Sequence, residues 1–415
     1  MWERVPLKEV ANVASGFGFP KKYQGVTGER YPFFKVGDMN LPGNEREMCV
    51  TSNTVSEAVV KELKAKVFPA GTIIFPKIGA AIATNKKRIL RAPAVVDNNV
   101  MGLIPKGNIN PWYLYYWMQQ FVLRSVSNIG PVPSIRKSEV EQVRIPYPPP
   151  SEQRRIVEIL DQADALRKQR AEADKKAARI VPALFYQMFG DPATNPKGWP
   201  VVKLGDLSQG RPQYGANAKA IDYREGMPRY VRITDIDEDG QLNRGNIKTL
   251  DSDDWYQYEL VEGDLLFARS GATVGKTYMY REEDGPCVFA GYLIRFQLNR
   301  EKVIPWVVFA YTQTPHYKNW VASKQRAAAQ PNINGQEYAS LPIMCPEISL
   351  QQQFADRMMR VLENSQHRSV SREKIDNLYD LLLRYAFSGK LTAKWREAHM
   401  KELLQEMEHQ TRALS

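Results

Sequence analysis

Cysteine and histidine are scarce in this 415-residue chain, which holds three of the first and four of the second. Cys49, Cys287 and Cys345 lie far apart, so their spacing fits neither a disulfide framework nor a zinc site. The histidines begin only at His316 and continue at His367, His399 and His409, which leaves no Ser/His/Asp set and no metal-ligand spacing. No metal site is expected. A signal-peptide pattern is missing too, and the most apolar stretch, Pro111 to Leu123, is too short and too polar to span a bilayer. Unpaired thiols and the lack of a membrane segment point to a reducing, cytoplasmic setting.

Catalytic signatures are equally sparse. Ser270-Gly271-Ala272-Thr273-Val274-Gly275-Lys276-Thr277 looks like a phosphate-binding loop, but it has three residues rather than four between its first glycine and the Gly-Lys pair. Its sister stretch, Ile78–Thr84, lacks Gly-Lys altogether. The better reading is a glycine-rich turn whose cations, Arg269 and Lys276, approach DNA phosphates. Gly16-Phe17-Gly18 is too short for a cofactor loop, and no Asn/Asp-Pro-Pro-aromatic run of the amino-methyltransferase kind occurs. No cofactor is expected on this chain.

What the chain has in quantity is repetition. Trp2, Leu7 and Val10 return as Trp199, Leu204 and Leu207. Lys35-Val36-Gly37-Asp38 returns as Arg232-Ile233-Thr234-Asp235, and Gly71-Thr72-Ile73-Ile74-Phe75 as Gly263-Asp264-Leu265-Leu266-Phe267. Pro111-Trp112 and Pro133-Ser134-Ile135 return as Pro305-Trp306 and Pro331-Asn332-Ile333. The segments are therefore 1–150, a first globular domain; 151–197, a helix and linker; 198–348, a second globular domain; 349–389, a second helix; and 390–415, a helical tail. Short strands are expected at Tyr31–Val36, Thr72–Phe75, Ala94–Val96, Arg229–Ile233, Leu265–Ala268 and Val288–Phe296, with helices near Pro111–Arg124 and Pro305–Tyr311. The fold class is α+β: two mixed α/β domains and two long antiparallel helices in a pseudo-two-fold arrangement. A body of that kind suits a ligand with its own local dyad, duplex DNA above all.

Charge gives that reading mixed support. The net charge is +11, and residues 1–150 carry 20 Lys+Arg against 11 Asp+Glu, while 198–348 carry 17 against 19. The second domain must therefore bind an anion through a local patch, because overall attraction is absent. Loops that mix cations, amides and aromatics are the candidate readers: Lys21 and Lys22; Lys77; Asn85, Lys86, Lys87 and Arg88; Arg136 and Lys137; Arg211, Gln213, Tyr214, Asn217 and Lys219; Arg269 and Lys276; then Lys324, Arg326 and Asn332. Arg and Lys suit guanine edges, Asn and Gln suit adenine, and phosphates take the remainder.

The run from Ser151 to Phe189 carries Ile156, Ile159, Ala163, Leu166, Arg170, Ala173, Ala177, Ile180 and Leu184 at alternating three- and four-residue steps, a heptad seam. Ser151 reads as its N-cap. Pro182 should kink it. The second run carries Phe354, Met358, Val361, Ser365, Arg368, Arg372, Ile375, Tyr379, Leu382 and Ala386, apolar at both ends and polar at the centre. Spacer and subunit-docking roles fall to Ile156, Ile159, Leu166, Ile180, Leu184, Phe354, Met358, Val361, Ile375 and Leu382. Each helix packing only on its own domain is the alternative. In the tail, Leu391 to Leu404 is amphipathic through Trp395, His399 and Leu403, suited to dock on the N-terminal region of the first domain or on a partner.

In this order and doubling, the chain resembles the specificity subunit of type I restriction–modification systems. The carriers are Trp2-x4-Leu7 with Trp199-x4-Leu204, Gly263 to Gly271, Pro148-Pro149-Pro150-Ser151-Glu152-Gln153, and Ala386 to Arg396. The resemblance implies two target-recognition domains, each reading half of a split DNA site, and a helical spacer that docks two modification subunits. It also implies that S-adenosylmethionine, and ATP with Mg for restriction, belong to partner subunits, this chain being non-catalytic. A self-contained DNA-modifying enzyme of the fused type and a non-catalytic helical adaptor for another defence effector are the competing readings.

Overall fold

The computed structural model describes residues 2–414 except 129, 178, 244, 253 and 326–331, and for 272, 362–370, 411 and 413–414 it describes the backbone alone. The chain forms two compact units, residues 1–169 with 372–415 and residues 170–371. The boundary thus runs through both long helices instead of between sequence segments, so each unit owns one sheet-rich domain and half of each helix.

In the first unit the main sheet has five strands, in the order Ala11–Ser15, Val100–Pro105, Ile73–Pro76, Arg88–Leu90 and Glu47–Met48. Its pairs are antiparallel except the last. Ile73–Pro76 is buried throughout, as a continuous apolar run at a sheet centre should be. A three-stranded sheet of Thr54–Val55, Tyr31–Phe34 and Val95–Val96 is made from segments interleaved with it along the chain. In the second unit four antiparallel strands run Gln213–Tyr214, Leu293–Phe296, Leu265–Ala268 and Thr277–Met279. The expected strand Val288–Phe296 is two strands, Cys287–Phe289 and Leu293–Phe296, because Gly291 turns the chain between them. Each domain is closed by a strand pair joining its two ends: Arg4–Pro6 with Arg144–Pro146, and Val201–Lys203 with Pro342–Met344. Proline is tolerated there because these two-stranded edges leave donors unused.

Helix starts are chemically explicit. Asn110 Oδ1 accepts from the backbone N–H of Trp112 (2.8 Å) and Tyr113 (3.2 Å), with Pro111 in the first turn of Pro111–Gln120. The amide of Gln153 is used twice over: Oε1 accepts from Asn110 N (2.7 Å) and Nε2 donates to the Pro148 carbonyl (2.8 Å). Gln351 repeats this in the second unit with Ile304 N (2.8 Å) and the Pro346 carbonyl (2.7 Å). One buried glutamine per unit therefore ties the domain to the start of its long helix.

The long helices differ from expectation in three ways. The first runs Pro150–Ala177 and resumes as Ile180–Phe189. The break thus precedes Pro182 and puts that proline in a new first turn, where it has no intrahelical N–H to lose. Ser151 is not the cap; its N–H and hydroxyl both donate to Glu406 (2.9 Å each). Finally, Leu166 (56% exposed) and Ile180 (44%) stand out in solvent, while Ile156, Val157 and Leu160 are buried. The buried stripe is turned toward the domain as well as toward the other helix. Tyr116 of the domain donates to Asp161 (2.6 Å), and Tyr379, Leu383, Ala386 and Phe387 share the same core. Arg167 meets Asp376 at 2.8 Å near one end and Glu152 meets Thr392 at 2.6 Å near the other, so the two helix segments of this unit are antiparallel.

The second long helix is unbroken over Ile348–Phe387. In the second unit Phe354 and Met358 are fully buried, and Phe185 and Phe189 close on Phe354 at ring distances of 6.1 and 4.9 Å. Ile159, Leu184, Val361, Ile375 and Leu382 are half-buried. The side chains of Ser365 and Arg368 lie outside the described residues.

The tail forms Ala393–Ala398 and Met400–Leu414 and docks on the N-terminal region of its own unit. Its anchor is Glu152, a fully buried carboxylate that accepts from Trp2 Nε1 (2.8 Å), Thr392 Oγ1 (2.6 Å) and Arg396 Nε (2.8 Å). The Arg396 guanidinium also covers the Trp2 ring at 4.9 Å. Gln410 Nε2 adds a bond to the Pro148 carbonyl (3.1 Å).

Candidate nucleic-acid interface

Strand register builds one constellation twice. In the second unit Ala268 pairs with Leu293, so Arg269 is the next residue opposite Tyr292, and its N–H donates to the Tyr292 carbonyl at 3.0 Å. Its own carbonyl accepts from Ile333 N at 2.8 Å. Tyr214 pairs with Ile294, which pairs in turn with Phe267. Side chains alternate along a strand and agree across it, so Tyr214, Arg269 and Tyr292 share a face. The Arg269 guanidinium carbon sits 4.9 Å from the Tyr214 ring centre. Tyr214 is in turn fixed through its hydroxyl, which accepts from Gly335 N (3.0 Å).

In the first unit Pro76 pairs with Val100, which places Lys77 opposite Asn99. The Lys77 N–H donates to the Asn99 carbonyl (2.9 Å) and its carbonyl accepts from Ile135 N (2.8 Å), the same two bonds that hold Arg269. Ser15 pairs with Met101, which pairs with Phe75, and Lys77 Nζ donates to Ser15 Oγ (2.9 Å). Ser15, Lys77 and Asn99 therefore stand where Tyr214, Arg269 and Tyr292 stand.

The glycine after the first member of each set shows why the frame repeats. A Cβ on Gly16 would lie 2.1 Å from the Asp97 carbonyl oxygen, and one on Gly215 would lie 2.4 Å from those of Ala290 and Phe289. Backbone must pass backbone at these points, and only glycine lets it.

Several expected readers are structural. Lys87 is 1% exposed and donates to the Phe121 carbonyl at the end of helix Pro111–Gln120. Burial pushes its ammonium down to about 7. Arg88 spends its guanidinium on the carbonyls of Asn44, Lys87 (2.9 Å) and Met39 (3.0 Å). Asn85 holds a left-handed turn at φ 53° and accepts from Leu123 N (2.9 Å). Gln213 is taken up by Arg295 and by the Gln257 carbonyl (3.0 Å). A polar cluster in sequence is here a set of internal braces, because helix ends and strand edges need donors and acceptors.

Other candidates remain at the surface with partners. Lys22 pairs with Glu62 (3.0 Å), Lys137 with Glu141 (3.4 Å) and Lys276 with Glu238 (2.7 Å). Lys86 reaches Asn40, and Lys324 lies 5.5 Å from the Trp320 ring centre. Lys21, Arg136, Arg211, Asn217, Lys219 and Asn332 are exposed. Asn332 is joined to the Arg269 constellation through its bridge to Ser270, as Ser134 is to Lys77 through Ile78. Arg326 lies outside the described residues. Ser15, Asn99 and Tyr292 went unread in the sequence. The signal was the shared glycine, Gly16 and Gly215, which fixes their register.

Two copies of one sheet-and-helix frame thus present different side-chain sets at corresponding strand ends. The family profile described as the type I restriction modification DNA specificity domain matches residues 1–175 and again 196–374. The chain belongs to that family. It is 25% identical over 300 residues to the type I restriction enzyme MjaIX specificity subunit of Methanocaldococcus jannaschii, covering 66% of this chain and 67% of that one. It is 22% identical over 425 residues to the EcoKI specificity subunit of Escherichia coli, covering 95% and 90%. A solved type I S subunit from M. genitalium superposes with a TM-score of 0.55 at 12% identity, over 93% of this chain and 96% of that one. Among the described residues no helix is long and apolar enough to cross a membrane.

Proposed function

We propose that this chain is the address-reading, non-catalytic subunit of a type I restriction–modification complex, each unit reading one half of a split duplex-DNA target. The observation that carries this is the doubled constellation of Ser15, Lys77 and Asn99 against Tyr214, Arg269 and Tyr292, held by identical backbone bonds in two domains that both match the specificity family. Identical frames carrying different side chains suit two readers with different half-sites.

The helices are the surface for two modification subunits, and restriction subunits join where the system has them. Leu378, Leu381 and Tyr385 supply an exposed apolar stripe at helical spacing in the first unit, and Leu166 is exposed on the other helix of that unit. S-adenosylmethionine for adenine-N6 methylation, and ATP with Mg for restriction, sit on those partners.

The test is base-resolved adenine methylation of DNA from cells expressing the chain with its modification subunit, against cells lacking the chain. A split methylated motif that disappears without the chain is expected. An assembled complex that leaves no chain-dependent mark would overturn the reading in favour of a helical adaptor. Removing one heptad from both helices should alter only the gap between half-sites, and exchanging residues 198–348 for those of another family member should alter one half-site alone.

A further inference from the structure

The structure assigns Arg269 as the residue that reads a guanine edge in the half-site of the second unit. This rests on the DNA-reading role proposed above and narrows it to one side chain and one base. Arg269 is placed with little freedom. Its backbone is pinned on both sides, by the Tyr292 carbonyl at 3.0 Å and by Ile333 N at 2.8 Å, at the end of a strand that is buried throughout. Its guanidinium lies over Tyr214, whose hydroxyl is itself held by Gly335 N.

Among the described residues this guanidinium has no acceptor: it makes no ion pair and no hydrogen bond, and its buried Nε is left without a partner. Its two terminal nitrogens, which are not among the buried unbonded atoms, also make no bond among the described residues, and these are the donors a ligand can reach. Arg229 and Arg295 of this unit also leave a buried Nε unbonded, but each bonds the protein through a terminal nitrogen, Arg229 to the Asn243 carbonyl. Arg232 is taken up by Asp235 and Arg281 by Glu283 and Asp284. Arg295 is taken up by Asp264.

The surroundings favour a base over a phosphate. Phosphate sites collect several cations or backbone N–H groups around one anion. Here the neighbours on the same face are two tyrosines, Tyr214 and Tyr292, the latter 65% exposed. A planar fork laid against the Tyr214 ring presents two parallel donors, which match the adjacent O6 and N7 acceptors of guanine in the major groove. Asn332, exposed and tied to Ser270, stands beside it for a neighbouring base. The first unit offers a different chemistry at the same place. Lys77 is a single-point donor already bonded to Ser15, with Asn99 opposite.

The test uses the full chain with its modification subunit, comparing wild type with Arg269→Gln and Arg269→Lys on a library of randomised target sites, read by base-resolved methylation. The wild-type motif is expected to demand guanine at one position of one half-site. Both variants should lower the preference for guanine there about ten-fold or more while leaving the other half-site unchanged. Arg269→Lys keeps the charge and removes the fork, so it stands as the reading variant should Arg269→Gln fail to accumulate. Equal loss of methylation at every target with the motif intact would make Arg269 a phosphate contact and overturn the assignment, as would an altered position that is not guanine. A wild-type chain that directs no methylation at all would instead sink the broader DNA-reading proposal.

Discussion

The two units solve one packing problem with different chemistry, and the contrast separates frame from function. Where the first unit buries Lys87 against the Phe121 carbonyl, the second buries Thr277 against the Thr312 hydroxyl (2.7 Å). Both side chains reach the C-terminal end of the helix packed on the sheet, Lys87 at a backbone carbonyl and Thr277 at a side-chain hydroxyl. Where the first unit turns the chain with Asn85 at φ 53°, the second uses Gly275 at φ 90°. Where the first starts its helix with the buried Glu152, the second has Leu350, packed against its core. Positions that hold backbone in place keep their job while their residues change; positions at the open strand ends change in kind.

Glu152 gives the sharpest way to break the comparison. It joins Trp2, Thr392 and Arg396, so Glu152→Ala leaves a half-buried guanidinium without its carboxylate and frees the tail. Breaking a buried charged pair costs about 3–5 kcal/mol. Peptide-resolved hydrogen exchange should show the tail and the start of helix Pro150–Ala177 losing protection while residues 198–348 keep theirs. Equal loss in both units would show that the latch is not local.

Next in size are the paired glycines. Gly16→Ala and Gly215→Ala each force a Cβ into backbone that cannot retreat, at a cost of about 3 kcal/mol. Each should destabilise only its own unit in the same exchange experiment. A tolerated alanine at either position would mean that the close strand crossing is not shared.

Lys87 predicts a pH dependence for the first unit that Thr277, its counterpart in the second, does not supply. Its folded value of about 7 lies below the ordinary 10.5. Between those limits the unfolded chain binds the extra proton, so stability of the first unit rises with pH from about 7 upward, by at most about 1.4 kcal/mol per pH unit. Below pH 7 the penalty for the charged form is fully present. Lys87→Met should flatten this slope, with protection of the first unit measured at pH 7 and 9. An unchanged slope would place the titration elsewhere.

Much of this frame was legible in sequence. The repeats Gly71–Phe75 and Gly263–Phe267 marked the central strands, and Pro111 and Pro305 marked the helices behind them. The proposed reading sites were less legible, for a physical reason. Asn85, Lys87 and Arg88 look like a basic recognition loop, yet tertiary folding brings backbone carbonyls to Lys87 and Arg88 and the Leu123 N–H to Asn85. Ser15, Asn99 and Tyr292 carry no local signal, because a cross-strand neighbour is set by register and not by spacing along the chain. The seam misplaced Leu166 and Ile180 because a heptad count assumes one partner, and these helices have two, a helix and a domain.

The smallest expected effect tests whether the aromatic wall matters for Arg269. Tyr214→Ala removes the ring under the guanidinium, a contact worth about 1 kcal/mol, and with it the acceptor for Gly335 N. Tyr214→Phe keeps the ring and loses only that acceptor. If the ring orients the fork, Tyr214→Ala should weaken the demand for guanine several-fold while Tyr214→Phe leaves it near wild type. The converse change in the first unit, Ser15→Tyr with Lys77→Arg, should move that half-site toward guanine at the corresponding position. A half-site that keeps its original base with both substitutions in place would show that the frame is shared but the reading is done by other loops, such as that of the exposed Arg136 and Lys137, which follows the Ile135 N–H bonded to the Lys77 carbonyl.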